Sequence, residues 1–438
     1  MEKEGVPKEN ETIAARRAAR LAEKLKKTKG FAVGRAWWSN TTVEIGAFLL
    51  VFLLNVYLVI PFFGTSSPDT FFSGPIIPLL ARAVGLFGSP LSYAIQIVNI
   101  FFFLLFPLSY YLFIRSVSDR KLIALFAVLF ASLPFYPFGQ TRVSASLLGP
   151  DTAHIASLAV LPIALYGLLS FNRSGGIGNL LIASLASAGI ALISPFGFMT
   201  YLIFASISTF SEMLLGNGRL KLTRFLLILV FAGGLNAFWY NPGFFLWMIT
   251  GPLGGEIRSM VSKLIPILFF TLPVLGAFGY LLFDRKPSLQ PVFLASFYSI
   301  SFSLIALAGG GIFPSHPSRY ASELGISLSF LISITVMKGV DFLRFTKSAP
   351  LARLNSKLAA NLSLIIIFLL LVTSMVIGKN RLLAEGGQVL GIWEGVERGK
   401  IWEAKDRFKG VSSVAGYAIT AGSVVGLSVM SSKMRKRI

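Results

Sequence analysis

The chain has 438 residues, of which 54% are hydrophobic and 13% charged, and it carries a net charge of +21. That composition cannot supply the charged surface of a soluble domain this size, and it excludes a nucleic-acid module, because the basic residues follow membrane topology rather than one aromatic-laced patch. Cysteine is absent, which excludes disulfides and thiolate chemistry.

Residues 1–42 read as a cytoplasmic basic tail. Within it Glu11 to Lys29 is predicted to form a basic amphipathic helix bearing Arg16, Arg17, Arg20, Lys24, Lys26 and Lys27, resting on anionic headgroups. Trp37 and Trp38 sit where an interfacial aromatic belt begins. From Val43 onward, apolar runs long enough to cross a bilayer alternate with short charged hinges. Spans are predicted over residues 43–62, 92–114, 121–136, 153–171, 179–194, 197–215, 223–240, 264–283, 290–309, 323–343, 360–377 and 411–430. The predicted fold class is therefore an all-α polytopic membrane protein with about twelve spanning helices. Pro195 and Gly197 mark a sharp hairpin between two of them. The last span, rich in Gly, Ser and Ala, is suited to close helix packing.

Basic residues favour one side: Arg115, Arg120 and Lys121; Arg173; Arg219, Lys221 and Arg224; Arg285 and Lys286; residues 338–357; and Lys433 to Arg437. Both termini are accordingly expected in the cytoplasm, with the protein multi-pass in the plasma membrane. The four Asn-x-Ser/Thr sites (Asn10, Asn40, Asn172 and Asn361) fall on that side or its edge. Residues 43–345 form the expected transmembrane core, and 346–438 the C-terminal spans with an outer amphipathic segment at 378–410, which holds Trp393 and Trp402. No Walker motif, dinucleotide fingerprint or His-Glu-x-x-His occurs.

The chemistry-bearing residues gather in the outer loops. The first loop, Phe63 to Leu91, is long, contains Asp69 as its acid, and continues into an amphipathic stretch with Arg82. The second contains Gln140, Thr141 and Arg142, then Asp151 and His154 at the mouth of the fourth span. Glu256, Arg258 and Lys263 lie in a third, and His316 and Arg319 stand at the head of the tenth span. Charged groups at a span end must be paired, solvated or functional. Asp151 also fits a helix N-cap, Asp69 an Asx-turn, and Arg319 a snorkelling cation.

In order along the chain, Pro68-Asp69-Thr70-Phe71, the basic turn from Tyr110 to Lys121, Gly149-Pro150-Asp151-Thr152-Ala153-His154 with Leu161-Pro162, Ala237-Phe238-Trp239 with Pro242, and Pro317-Ser318-Arg319-Tyr320 resemble the GT-C superfamily of membrane glycosyltransferases. The resemblance covers residues 43–345. It implies transfer of a sugar from a polyprenyl-phosphate donor to a glycan, lipid or protein acceptor on the outer face. Asp69 would be the base and Asp151 its assistant, with Arg319, Arg142, Arg258, His154 and His316 binding substrate. Asp69, Asp151 and His154 would be the ligands if Mg²⁺ or Mn²⁺ takes part. The family's paired acids in the first loop are absent, since Asp69 stands alone. The competing expectations are a lipid or solute transporter, and an inactive scaffold of the same fold.

Overall fold

The computed structural model describes residues 41–68, 72, 74–118, 120–149, 151–250, 276–277, 279–280, 286–308, 317–345, 356–385 and 410–435. The chain divides into two compact units, residues 1–49 and 50–438. Of the first, residues 41–49 are described, and they are helical. The predicted tail helix, Trp37 and Trp38 lie outside the described residues, as does most of the predicted span 264–283.

The regular structure among the described residues is all helical, with no strand. In chain order the helices are α1 (Thr41–Val59), α2 (Ile76–Gly85), α3 (Leu91–Val117), α4 (Lys121–Ala131), α5 (Gly139–Val143), α6 (Thr152–Ser174), α7 (Ile177–Ile193), α8 (Pro195–Leu215), α9 (Gly218–Asn236), α10 (Pro242–Thr250), α11 (Gln290–Ala308), α12 (Ala321–Phe345), α13 (Ser356–Glu385) and α14 (Val411–Arg435). Eight of them are long and apolar enough to cross a membrane. The protein is thus an all-α, membrane-embedded polytopic chain. Of the eleven predicted spans within the described residues, eight fall on these eight helices, whereas 121–136, 179–194 and 223–240 fall on α4, α7 and α9, which are not among the eight.

Several boundaries differ from the predicted ones for visible reasons. The span predicted over 121–136 is an 11-residue helix, α4, which at 1.5 Å per residue reaches about half the hydrocarbon thickness. Pro134 and Pro137 follow it and cannot continue a helix. By contrast α13 runs past the predicted end at 377 to Glu385, so the predicted outer segment 378–410 begins as helix. Residues 386–409 lie outside the described ones. The predicted hairpin is one residue long: Ser194 ends α7 and caps α8, its Oγ accepting from Gly197 N at 3.2 Å, with Pro195 in the first turn.

Helix α6 is the hub, packing most extensively on α7 and α3 and also on α8. Small residues set the approach. A Cβ at Gly167 would lie 2.7 Å from the backbone of Ala183, so α6 and α7 meet nearly backbone to backbone. A Cβ at Gly197 would overlap the Ser157 side chain, which lets α8 cross α6 near its start. Pro162 breaks the backbone ladder of α6. One turn below it, the Ala159 carbonyl accepts from Ser109 Oγ of α3 at 2.7 Å. Exposed apolar side chains line α13 and α14, whose spans are the least buried of the eight and suit a lipid-facing position.

Candidate functional site

Helices α6 and α12 start at the same end of the bundle, and their N-terminal ends, including the 3-10 turn Pro317–Tyr320 that leads into α12, are joined by two polar rungs. The first is a bidentate ion pair: Arg319 donates from Nη2 to Asp151 Oδ1 at 2.8 Å and from Nε to Oδ2 at 3.0 Å. Both residues are buried, and the guanidinium lies 4.2 Å from the Phe196 ring centroid. This planar fork is the geometry that Arg provides and Lys cannot. Asp151 does stand at the N-cap position of α6, but its side chain makes no capping bond; the carboxylate serves Arg319 instead.

The second rung lies one turn deeper. His154 Nε2 and Glu323 Oε1 are 2.8 Å apart, and Thr200 Oγ1 donates to the same Oε1 at 2.9 Å. His154 and Glu323 are 1% and 0% exposed, so this dyad is buried. Glu323 sits in the first turn of α12, where the helix dipole favours a negative charge. Among the described residues, His154 Nδ1 and Glu323 Oε2 have no hydrogen-bond partner.

Arg142 is the third element. It lies on α5, which continues through a wide π-helical turn, Ser144–Leu148, toward Asp151, whose N–H reaches back to Ala145 O at 3.1 Å. Such turns often mark functional sites. The side chain is 2% exposed and lies over the Phe106 ring at 3.8 Å and near Phe103 at 4.9 Å. None of its three guanidinium nitrogens has a hydrogen-bond partner among the described residues. Burial lowers its pKa to about 9, with the neighbouring Tyr110 partly opposing the shift. The group still carries its charge at neutral pH, yet ring faces replace only part of the lost hydration.

Side chains from α3 tie this segment to the first loop. Gln96 Nε2 donates to Thr65 Oγ1 and to Leu147 O, both at 3.2 Å. Asn99 Nδ2 donates to Ser67 Oγ and to Gln96 Oε1, both at 3.3 Å. Ser322 Oγ donates to Thr141 Oγ1 at 3.2 Å, joining the start of α12 to α5.

Four of the residues singled out by sequence therefore fall at this end: Asp151 and Arg319 as partners, His154 in the second rung, and Arg142 on α5. Asp69, Arg258 and His316 lie outside the described residues. Arg319 takes both Asp151 carboxylate oxygens and Glu323 takes His154 Nε2, while Asp69, the third ligand expected from the resemblance, lies outside the described residues. No cluster of three metal-ligating side chains occurs among the described residues. Sequence reading missed Glu323 and Thr200. The signal available for Glu323 was its spacing, four residues after Arg319 on a helix, matching Asp151 and His154 three apart. Thr200 carried no signal.

The opposite end holds a separate network. Glu212 of α8, 1% exposed, receives Arg173 Nε at 2.8 Å, Lys221 Nζ at 2.9 Å and Gln290 Nε2 at 2.7 Å. This joins the ends of α6, α8, α9 and α11, and Arg173 also reaches Ser116 O of α3 at 3.0 Å. Outside this network, Arg120 pairs with Asp341 of α12.

No family model, curated protein or solved structure matches this chain.

Proposed function

We propose that the protein is an integral membrane glycosyltransferase that moves a sugar from a polyprenyl-phosphate donor to an acceptor at the outer face. The observation that carries this reading is Arg142, a buried guanidinium with no hydrogen-bond partner among the described residues. A cation so placed is costly unless an anion completes it. A donor phosphate supplies that charge, and it also supplies the oxygens that the three nitrogens lack. Arg319 stands at the same end of the bundle, its charge balanced by the Asp151 carboxylate that aligns it.

In this reading the acceptor oxygen bonds the anomeric carbon as the carbon–oxygen bond to phosphate breaks. The electron pair leaves on polyprenyl phosphate, where Arg142 stabilises the added charge. A base takes the hydroxyl proton, a place the resemblance gives to Asp69. The twelve-span topology with both termini cytoplasmic belongs to the same proposal. It puts the Asp151–Arg319 end outside, where the lipid-linked donor and its acceptor meet.

The test is transfer from radiolabelled polyprenyl-phosphate sugars by the purified protein in lipid nanodiscs. Release of polyprenyl phosphate coupled to a labelled acceptor supports the reading, and Arg142→Met should lower kcat/KM by two orders of magnitude or more. A wild-type protein that binds such donors and turns none over contradicts it. A transporter is the second reading, favoured by buried ionic networks at both ends of α6 and α8. Uptake of a donor into sealed vesicles without chemistry would select it.

A further inference from the structure

We infer that His154 is a general base whose tautomer Glu323 fixes, its Nδ1 taking the proton of the acceptor hydroxyl. Its part in transfer rests on the glycosyltransferase reading, whereas the protonation state of the ring does not.

Glu323 Oε1 accepts the Thr200 hydroxyl, and we take it as the acceptor toward His154 as well. The 2.8 Å contact with His154 Nε2 therefore makes that nitrogen the donor. A neutral imidazole that carries its proton on Nε2 leaves the lone pair on Nδ1. That atom has no partner among the described residues, although the side chain is 1% exposed. A buried acceptor left unengaged in a native fold calls for an explanation, and a base waiting for its proton provides one.

The surroundings favour this assignment over a lone carboxylate. Asp151, the other acid described here, has both oxygens on Arg319, so its charge is already compensated. Glu323 holds the ring and is placed to stabilise the imidazolium that forms, while Thr200 holds Glu323. Carboxylate-oriented imidazoles act as bases in this way on unrelated folds. Other ionisable groups described at this end include Asp151 and Arg319 one turn nearer the loop, Arg142 on α5 with its neighbour Tyr110, and Tyr201 beside Thr200. The acceptor O–H proton moves to Nδ1 as the new glycosidic bond forms, and polyprenyl phosphate departs with the electron pair of the broken bond. The imidazolium then returns its proton to water. Glu323 and Thr200 are positioning residues in this scheme.

The chain contains only two histidines, which makes the ring states directly observable. In full-length ¹⁵N-histidine-labelled protein in bilayers, His316→Gln leaves the His154 ring as the remaining signal. Solid-state NMR should find the proton on Nε2 and a bare Nδ1 at neutral pH, and Glu323→Gln should abolish that single tautomer. A proton on Nδ1, or a doubly protonated ring, overturns the inference whether or not the protein is a transferase. In the transfer assay, His154→Ala should lower kcat by about 10²- to 10⁴-fold, with little change in donor KM and partial rescue by added imidazole. A His154→Ala protein that transfers at the wild-type rate, with Asp69→Asn inactive, overturns the assignment and leaves the transferase reading standing. A wild-type chain that transfers no sugar fails the transferase reading, and the ring spectrum still decides the tautomer.

Discussion

Arg142 and the Asp151–Arg319 pair are both buried charge, but their energetics are opposite. A guanidinium without an acceptor costs desolvation that two phenylalanine rings recover only in part. Arg142→Met should therefore stabilise the ligand-free protein by about 1 kcal/mol or more, seen as a higher thermal unfolding midpoint in nanodiscs. Breaking the ion pair has the reverse outcome. Asp151→Asn removes the charge that compensates a buried Arg319 and should cost about 3–5 kcal/mol. The double variant Asp151→Leu with Arg319→Met should regain most of that loss, since no charge is then left uncompensated, and a double-mutant cycle of unfolding midpoints checks it. Sequence reading placed these residues on one side of the membrane, because loop position and charge bias are legible from hydropathy. It could not show that Asp151 is committed to Arg319, because 168 residues separate them along the chain.

Glycines decide how closely the helices that carry the site can approach. A Cβ at Gly325 would overlap the Pro137 carbonyl, so the first turns of α12 lie directly against the segment leading to Arg142. Gly325→Ala should force these elements apart and destabilise by about 1–3 kcal/mol. Donor binding should weaken in parallel, checked by thermal unfolding with and without polyprenyl phosphate. The helices themselves were legible as apolar runs, and the Pro195 hairpin as a Pro/Gly signal. Their ends were not. Helix α4 stops early where prolines follow it, and α13 outlasts its apolar stretch through Lys379 and Arg381, polar residues a helix accommodates readily. Glu323 escaped notice because a carboxylate in a first helical turn looks like an ordinary favourable end charge.

For the whole molecule, the two buried ionic networks define opposite ends of one bundle: Asp151, His154, Arg319 and Glu323 at one, Glu212 with Arg173 and Lys221 at the other. The orientation proposed for them rests on the charge bias and is open to a clean test, because the chain has no cysteine. A cysteine at Phe87, 90% exposed in the loop after α2, should react with an impermeant maleimide added to intact cells. One at Asn217, exposed between α8 and α9, should react only after permeabilisation; the reverse pattern would invert the topology. The central claim is that the Arg142 charge awaits a lipid-linked phosphate. The most direct measurement is the change in unfolding midpoint on adding a short-chain polyprenyl phosphate to wild-type protein and to Arg142→Met, with the unphosphorylated alcohol as control. The account predicts a dose-dependent rise for wild type with the phosphate alone and none for the variant. An equal rise in both proteins, or none in the wild type, would contradict it.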